Sequence, residues 1–579
     1  MLKRLIRWML RLIVITVVLV VIVVVSQYLS HRYRPGSVLV LELNGPVVER
    51  GTPVRGLLGA AQVPLNVVRQ SLETAAKDPR IAGLAIKVID PDMELAQAQE
   101  LADAITEFKQ HGKFTTAYME TAGESGLGNL PYLVASAADE VSMMPQGEMN
   151  LLGVGMREMF ARGTLDWLKI RPNFNAIGKY KSAANVFTQK NFTPAQREED
   201  EALVGDMFEQ IVSETARRRR LAPDTLRALI DRAPLMAADG LKNRLLDRLE
   251  YEDQFEDRVK EYRGQHRDLV DYAGYARPEF TEAFRGLNKI AVIYGIGAIT
   301  RGQGGFDPLL SPGSSSMGSD DMVHAFNEAR DDRSVRAVVF RVDSPGGSVI
   351  ASELIRRAVE LCAHKKPVVV SMSGFGASGG FWISTPAADI FADPGTLTGS
   401  IGVLGGKFNV AGAAAALGIN TGEVSRGENA DIFDAFTDFT PAQARIFHDQ
   451  ILAGTYQYFI GIVAKQRHMT LDQVDELAQG RVWTGVQAAS NRLIDRVGGF
   501  DAALARAKIL AKLDPREPVQ IEELPAPPGL LRRILGGGLD GEMGWHPPAA
   551  LEPLLWMMRE SLARHSALGE AYCPLVPVM

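Results

Sequence analysis

Ser378 stands in the run GASGGFW, and a serine hydroxyl between glycines is a candidate nucleophile. It follows the apolar stretch VVVSM and precedes an apolar helix-like segment, the strand-turn-helix setting that exposes a hydroxyl beside unpaired backbone N–H groups. DSPGGS, from Asp343 to Ser348, also follows an apolar run, and its paired glycines can turn backbone N–H groups toward an anion. Ser400 lies in TLTGSIG. Taken singly, each pattern is ordinary loop sequence.

A serine needs a base. No histidine lies close to these motifs; His364 falls in the polar turn AHKKP, so a Ser-His-Asp arrangement is disfavoured. A lysine can act instead if its amine is neutral, which requires a site that withdraws it from water. GKYKSA offers two lysines, Lys179 and Lys181, and residue chemistry does not choose between them.

The chain repeats itself. NRLLDRL at Asn243 returns as NRLIDRV at Asn491, FTPAQ at Phe192 returns at Phe439, and YLVASAADEV at Tyr132 answers WISTPAADIF at Trp382. The offset drifts only from roughly 254 to roughly 247 residues, so a whole domain is duplicated. The copies have lost complementary groups. Gly128 stands opposite Ser378, DPDM (Asp90 to Met93) replaces the SPGG run, and Leu151 replaces Ser400. Conversely, SRGENA in the second copy has no lysine where the first has GKYKSA. Two half-sites, each lacking the other's group, predict one composite site.

The positioning elements follow from hydrophobic periodicity. Apolar runs at Val38–Leu43, Leu84–Ile89 and Phe114–Met119, and at Ile290–Tyr294, Ala337–Val342 and Pro367–Met372, alternate with amphipathic stretches. That alternation predicts α/β architecture with parallel strands buried on both faces. Leu101, Ile105 and Phe108 define a helix face in the first copy; Ile350, Leu354, Ala358, Leu361 and Cys362 define one in the second. The expected layout is an anchor over residues 1–34, a first repeat over 35–285 and a second over 286–514. A Pro/Gly-rich tail follows over 515–579, irregular apart from one short helix at Leu551–Ala563. RRRR, Arg217 to Arg220, reads as a solvated helix face.

The 579 residues are 46% hydrophobic and 23% charged, ordinary for a globular protein. Net charge is −6; the first 34 residues carry six positive charges, and subtracting these leaves −12 on the rest, which disfavours a nucleic-acid partner. The two cysteines, Cys362 and Cys573, form neither a disulfide framework nor a metal-binding pattern. Leu12 to Val25 is apolar apart from Thr16, and with its flanks it nears the roughly 20 residues of a membrane-spanning helix. VVSQYLS lacks a small-x-small cleavage site, so the expectation is a retained anchor with the body outside the cytoplasm.

The anchor, the duplicated body, GKYKSA, RVDSPGGS, ASGGFWISTPA and TLTGSIGV together resemble the signal peptide peptidase A (protease IV) family of bacteria, from the anchor to about Asp514. The resemblance implies tandem crotonase/Clp-protease-like domains and a serine endopeptidase of the inner membrane, facing the periplasm. Its substrates would be cleaved signal peptides and similar apolar peptides. It implies Ser378 as nucleophile, Lys181 rather than Lys179 as general base, and Ser400 as the hydroxyl that positions the amine. The oxyanion hole would be the N–H of Gly379 with that of Gly346 or Gly347, Gly346 being preferred. A homotetramer without cofactor or metal is implied. The rival readings are a catalytically silent membrane scaffold and a crotonase-type acyl-CoA enzyme. The apolar C-terminus EAYCPLVPVM is a further candidate, as a self-ligand of the groove.

Overall fold

The computed structural model describes residues 33–51, 62–124, 126–275, 288–305, 316–515, 519–526 and 571–572. Its body is mixed α/β, built on two sheets of matching order. In the first, strands run Leu269–Asp271, Ser37–Val48, Ile81–Asp92, Phe114–Met119, Glu140–Met143 and Arg248–Leu249, all parallel. The second repeats this order as Gln520–Leu524, Lys289–Ile296, Val335–Ser344, Val368–Ala377, Asp389–Ala392 and Arg496–Val497, again parallel.

The central strands are β-branched and apolar because helices cover both their faces. Leu39, Leu41, Leu43, Leu84, Ile86 and Val88 are buried in the first sheet. Ile290 to Ile293 and Ala337 to Phe340 are buried in the second. Each repeat adds a short antiparallel pair beyond this order: Glu148–Met149 with Leu235–Met236, and Leu397–Gly399 with Val482–Thr484.

Three expectations change. On the helix Val349–Ala363 the buried residues are Ala351, Ser352, Ile355, Ala358, Val359 and Cys362. Ile350 and Leu354 are exposed. Ile355 and Val359 are the large residues on the buried face, while Ile350 and Leu354 point outward. Arg218 and Arg219, at the C-terminal end of the helix Pro194–Arg219, are not a solvated face. Arg218 pairs with Asp103 and Glu214, and Arg219 with Asp247, with side chains only 5% and 7% exposed. Third, the stretch after Asp514 contributes the edge strand Gln520–Leu524. The apolar N-terminal segment, Cys573 and Leu551–Ala563 lie outside the described residues. Among the described residues no helix is long and apolar enough to cross a membrane.

The repeats meet through a ribbon and a buried polar seam. Arg171–Ile177 of the first repeat pairs antiparallel with Val403–Asn409 of the second. Arg341, fully buried, donates to Glu49 Oε2 and Glu100 Oε2, each at 2.6 Å, and to Ser371 Oγ at 2.8 Å and Ser373 Oγ at 3.0 Å. Burial pushes the Glu49 carboxyl up, but the Arg341 charge and hydrogen bond hold it below the usual carboxylate range. Burial and the nearby Glu49 push Asp343 up to about 7. Gln99 Oε1 accepts from Gly395 N, and Glu100 Oε1 from Phe500 N, both at 2.7 Å. These hydrogen bonds add to apolar packing, in which Ala377, Leu397 and Val482 of the second repeat join the core of the first.

Candidate active site

The site forms at that seam. The strand Val368–Ala377 ends at Ser378, and the helix Gly379–Ser384 begins directly after it. Ser378 has φ 53° and ψ −113°, a backbone state that few non-glycine residues adopt. Its N–H donates to Gly399 O at 2.8 Å, and its carbonyl accepts from Trp382 N at 2.9 Å. The bend is therefore held from both sides. Ser400, one residue past Gly399, also has positive φ, 50°. Two strained serines side by side are the kind of stored backbone energy that clusters at functional sites.

Lys181 arrives from the first repeat. Its Nζ lies 2.9 Å from Ser378 Oγ, 2.9 Å from Ser400 O and 3.0 Å from Ser400 Oγ. Lys181 is 3% exposed, and Ser378 and Ser400 are fully buried. A buried amine loses the hydration that favours its charged form. All three residues belong to the same chain. Lys179 points elsewhere, its Nζ 4.6 Å from the centre of the Tyr180 ring.

Gly346 and Gly347 form a two-residue strand beside this pair, Gly347 matching Ile299 in parallel. The Gly346 N–H already donates to Ser344 Oγ at 3.2 Å. A Cβ on Gly379 would stand 3.1 Å from Gly347 N and 2.7 Å from Ser352 Oγ, so only glycine lets the helix start this close to the SPGG turn. Gly347 N is thus the backbone nitrogen of the SPGG turn that lies near Gly379. The other edge of Gly346–Gly347 is occupied: Ala571–Tyr572 pairs with it antiparallel, Tyr572 opposite Gly346 and Ala571 opposite Gly347. The same C-terminal residues lie against Val403–Asn409. The chain's own C-terminal segment thus crosses the glycine turn as an added strand.

The first repeat is closed to this chemistry. A Cβ on Gly128 would stand 2.0 Å from Ala122 O, so a serine does not fit there without moving backbone. Leu151, in the place of Ser400, is buried. Among the described residues no group of His, Cys, Asp or Glu is arranged to hold a metal.

Sequence reasoning missed Glu199. It is 1% exposed on the helix Pro194–Arg219, and its Oε1 accepts from Val482 N of the second repeat. Burial pushes its carboxyl up to about 8. It sits inside the charged run REEDE, which at sequence level is indistinguishable from a solvated helix face.

Comparison with known proteins places the chain in a family. The model of peptidase family S49 matches residues 107–266 and 360–514. "Protease 4" of Salmonella typhi is 34% identical, over 82% of this chain and 78% of its own length. "Serine protease SPPA, chloroplastic" of Arabidopsis thaliana is 31% identical, over 88% of this chain and 74% of its own. Among solved structures, a point mutant of ClpP1 from Listeria monocytogenes aligns with 39% of this chain and 99% of its own, at 12% identity and a TM-score of 0.24. A buried serine with a lysine amine at hydrogen-bond distance is an arrangement that serine hydrolases can use. The chain belongs to peptidase family S49 and is a serine protease.

Proposed function

We propose that the protein cleaves apolar peptides, signal-peptide remnants foremost, with a Ser378–Lys181 dyad completed within one chain. The observation that carries this reading is the 2.9 Å approach of Lys181 Nζ to Ser378 Oγ. The Ser378 O–H donates to the neutral amine as Oγ attacks the peptide carbonyl. Lys181, now an ammonium, is held by Ser400 O and Oγ and gives its proton to the leaving amine. Water then attacks the acyl-enzyme with the same amine as base, releasing the acid and restoring Ser378. The N–H of Gly379 with that of Gly346 or Gly347 would receive the developing oxyanion, a contribution of roughly 3 kcal/mol per donor in proteases.

The glycine turn supports an extended substrate. Ala571–Tyr572 pairs with Gly346–Gly347 as an added antiparallel strand, and a substrate bound in the same way would rest on main-chain hydrogen bonds with little demand on side chains. Such a mode suits varied apolar sequences. We further assign a crotonase-like fold to each repeat, a membrane anchor to the apolar N-terminal segment, a periplasmic body and a homotetrameric assembly. The family resemblance supports these assignments.

The experiment is cleavage of a fluorogenic apolar peptide by wild type, S378A and K181A, with fluorophosphonate labelling of Ser378. Activity and labelling that both require Ser378 and Lys181 are expected. Retained turnover in K181A moves the base elsewhere. An acyl-CoA enzyme or a silent scaffold would leave Ser378 unlabelled. Mixing S378A with K181A protein tests the intrachain pairing, because restored activity requires sites shared between chains.

A further inference from the structure

Four consecutive residues, Gln479 to Val482, touch every component that brings the lysine to the serine. Gln479 O accepts from Tyr180 N at 2.8 Å, one residue before Lys181. Gly480 N donates to Ile401 O at 2.8 Å, and Arg481 O accepts from Ser400 N at 2.7 Å. Gly480 also presses on the base itself: a Cβ there would stand 2.5 Å from Lys181 N and 2.6 Å from Lys181 Cβ. The segment is bent by positive φ at Gln479 (54°) and Gly480 (78°). Such a bend persists only where its surroundings hold it.

The segment is held from the first repeat. The N–H of Val482 donates to Glu199 Oε1, and Glu199 is buried on the same repeat that carries Lys181. The Arg481 guanidinium lies 4.8 Å from the centre of the Tyr180 ring, and its Nη1 reaches Glu198 Oε1 at 3.1 Å. Glu199 Oε2 has no hydrogen-bond partner among the described residues. At neutral pH burial keeps this carboxyl protonated, so it accepts the Val482 N–H without adding a negative charge near Lys181.

We propose that Glu199 is a positioning residue for peptide cleavage, fixing through Val482 the Gln479–Val482 segment that holds Tyr180 and Ser400 together and so setting Lys181 against Ser378. Without this contact the segment keeps, among the described residues, only the Tyr180 N–H and the partly exposed Arg481 contacts as hydrogen-bonded ties to the first repeat. The base and the hydroxyl that steadies it would then be held in register less tightly. A misplacement of about 1 Å can reduce a reaction on the order of a hundredfold.

This inference rests on the proposed Ser378–Lys181 dyad, and its test separates the two. Wild type, S378A, E199A and E199Q are compared for kcat, KM and the rate of fluorophosphonate labelling at Ser378, normalised to folded protein by circular dichroism and thermal melting. Wild type that neither cleaves nor labels while S378A behaves identically defeats the dyad. With wild type active, E199A is expected to lose at least about tenfold in kcat, with KM within about twofold and labelling slowed in parallel. E199Q keeps a neutral acceptor for Val482 N–H and should restore kcat to within about twofold of wild type. E199A with wild-type kcat and labelling, whatever its melting temperature, overturns the proposal. E199Q as impaired as E199A overturns it equally, because the acceptor would then be irrelevant.

Discussion

Replacing Ser400 by alanine isolates one of the contacts at the lysine amine. Ser400 reaches Lys181 Nζ twice, through Oγ at 3.0 Å and through its backbone carbonyl at 2.9 Å. Ser400→Ala removes only the first. The backbone conformation, φ 50°, is as demanding for alanine as for serine, so the carbonyl stays in place. A buried hydrogen bond contributes about 0.5–1.5 kcal/mol net. At 1.36 kcal/mol per factor of ten, its loss lowers kcat by roughly two- to thirteenfold. KM should remain within about twofold, because Ser400 Oγ contacts the base and the hydroxyl has no part in the proposed peptide-binding edge. The assay is steady-state cleavage of a fluorogenic apolar peptide, corrected by active-site titration, beside K181A as the zero point. A loss as deep as that of K181A would refute the reasoning, since the hydroxyl would then have to carry the proton itself. Unchanged kcat would refute it in the other direction, leaving the carbonyl as sufficient anchor.

Three further outcomes follow from the same contacts. Arg341→Met leaves Glu49 and Glu100 buried without their shared cation and should lower stability by about 3–5 kcal/mol, read by urea denaturation; a change under about 1 kcal/mol would show the seam charges to be hydrated or protonated. Asp343 sits near 7 in the fold against an unfolded value near 4, so the folded state binds its proton more tightly and wild type loses stability as pH rises from about 4 to about 7. Asp343→Asn removes that dependence, and its stability advantage over wild type should grow across this window by up to about 4 kcal/mol; a gap independent of pH would contradict the assignment. Deleting residues 527–579 removes the strand lying on Gly346–Gly347 and should raise turnover of short peptides, whereas an unchanged rate would mean the segment does not compete with substrate.

Most of the scaffold is legible in the sequence because buried parallel strands are long, apolar and β-branched, and the duplication lets one copy check the other. Gln520–Leu524 is obscure there because an edge strand reading QIEEL is half solvated and lacks an apolar run. The buried face of Val349–Ala363 keeps Ala358 and Cys362 of the periodic expectation but is rotated onto Ala351, Ser352, Ile355 and Val359, because either of two neighbouring stripes on this helix is apolar enough to read as its core face. Arg218 and Arg219 are buried against acids far away in sequence, which no local pattern encodes. At the site, the paired losses of serine and lysine point to one shared centre, and Ser378, Lys181 and Ser400 do converge. Glu199 and Gln479–Val482 leave no such trace. Their contribution is made by a carboxyl and by backbone groups whose partners depend on how the repeats dock.

The Arg341 seam and the ribbon of Arg171–Ile177 with Val403–Asn409 have a consequence for biosynthesis. Domains fold as they leave the ribosome, the N-terminal one first. On the proposed dyad, the half that emerges first holds Lys181 without Ser378, and the half that follows holds Ser378 without Lys181. On that reading neither half alone would hydrolyse a neighbouring nascent chain. Competence arrives only when the second half closes on the first and withdraws the seam's charges from water. With that dyad the duplicated chain would be its own zymogen during synthesis, latency being supplied by unfinished docking in place of a cleavable propeptide.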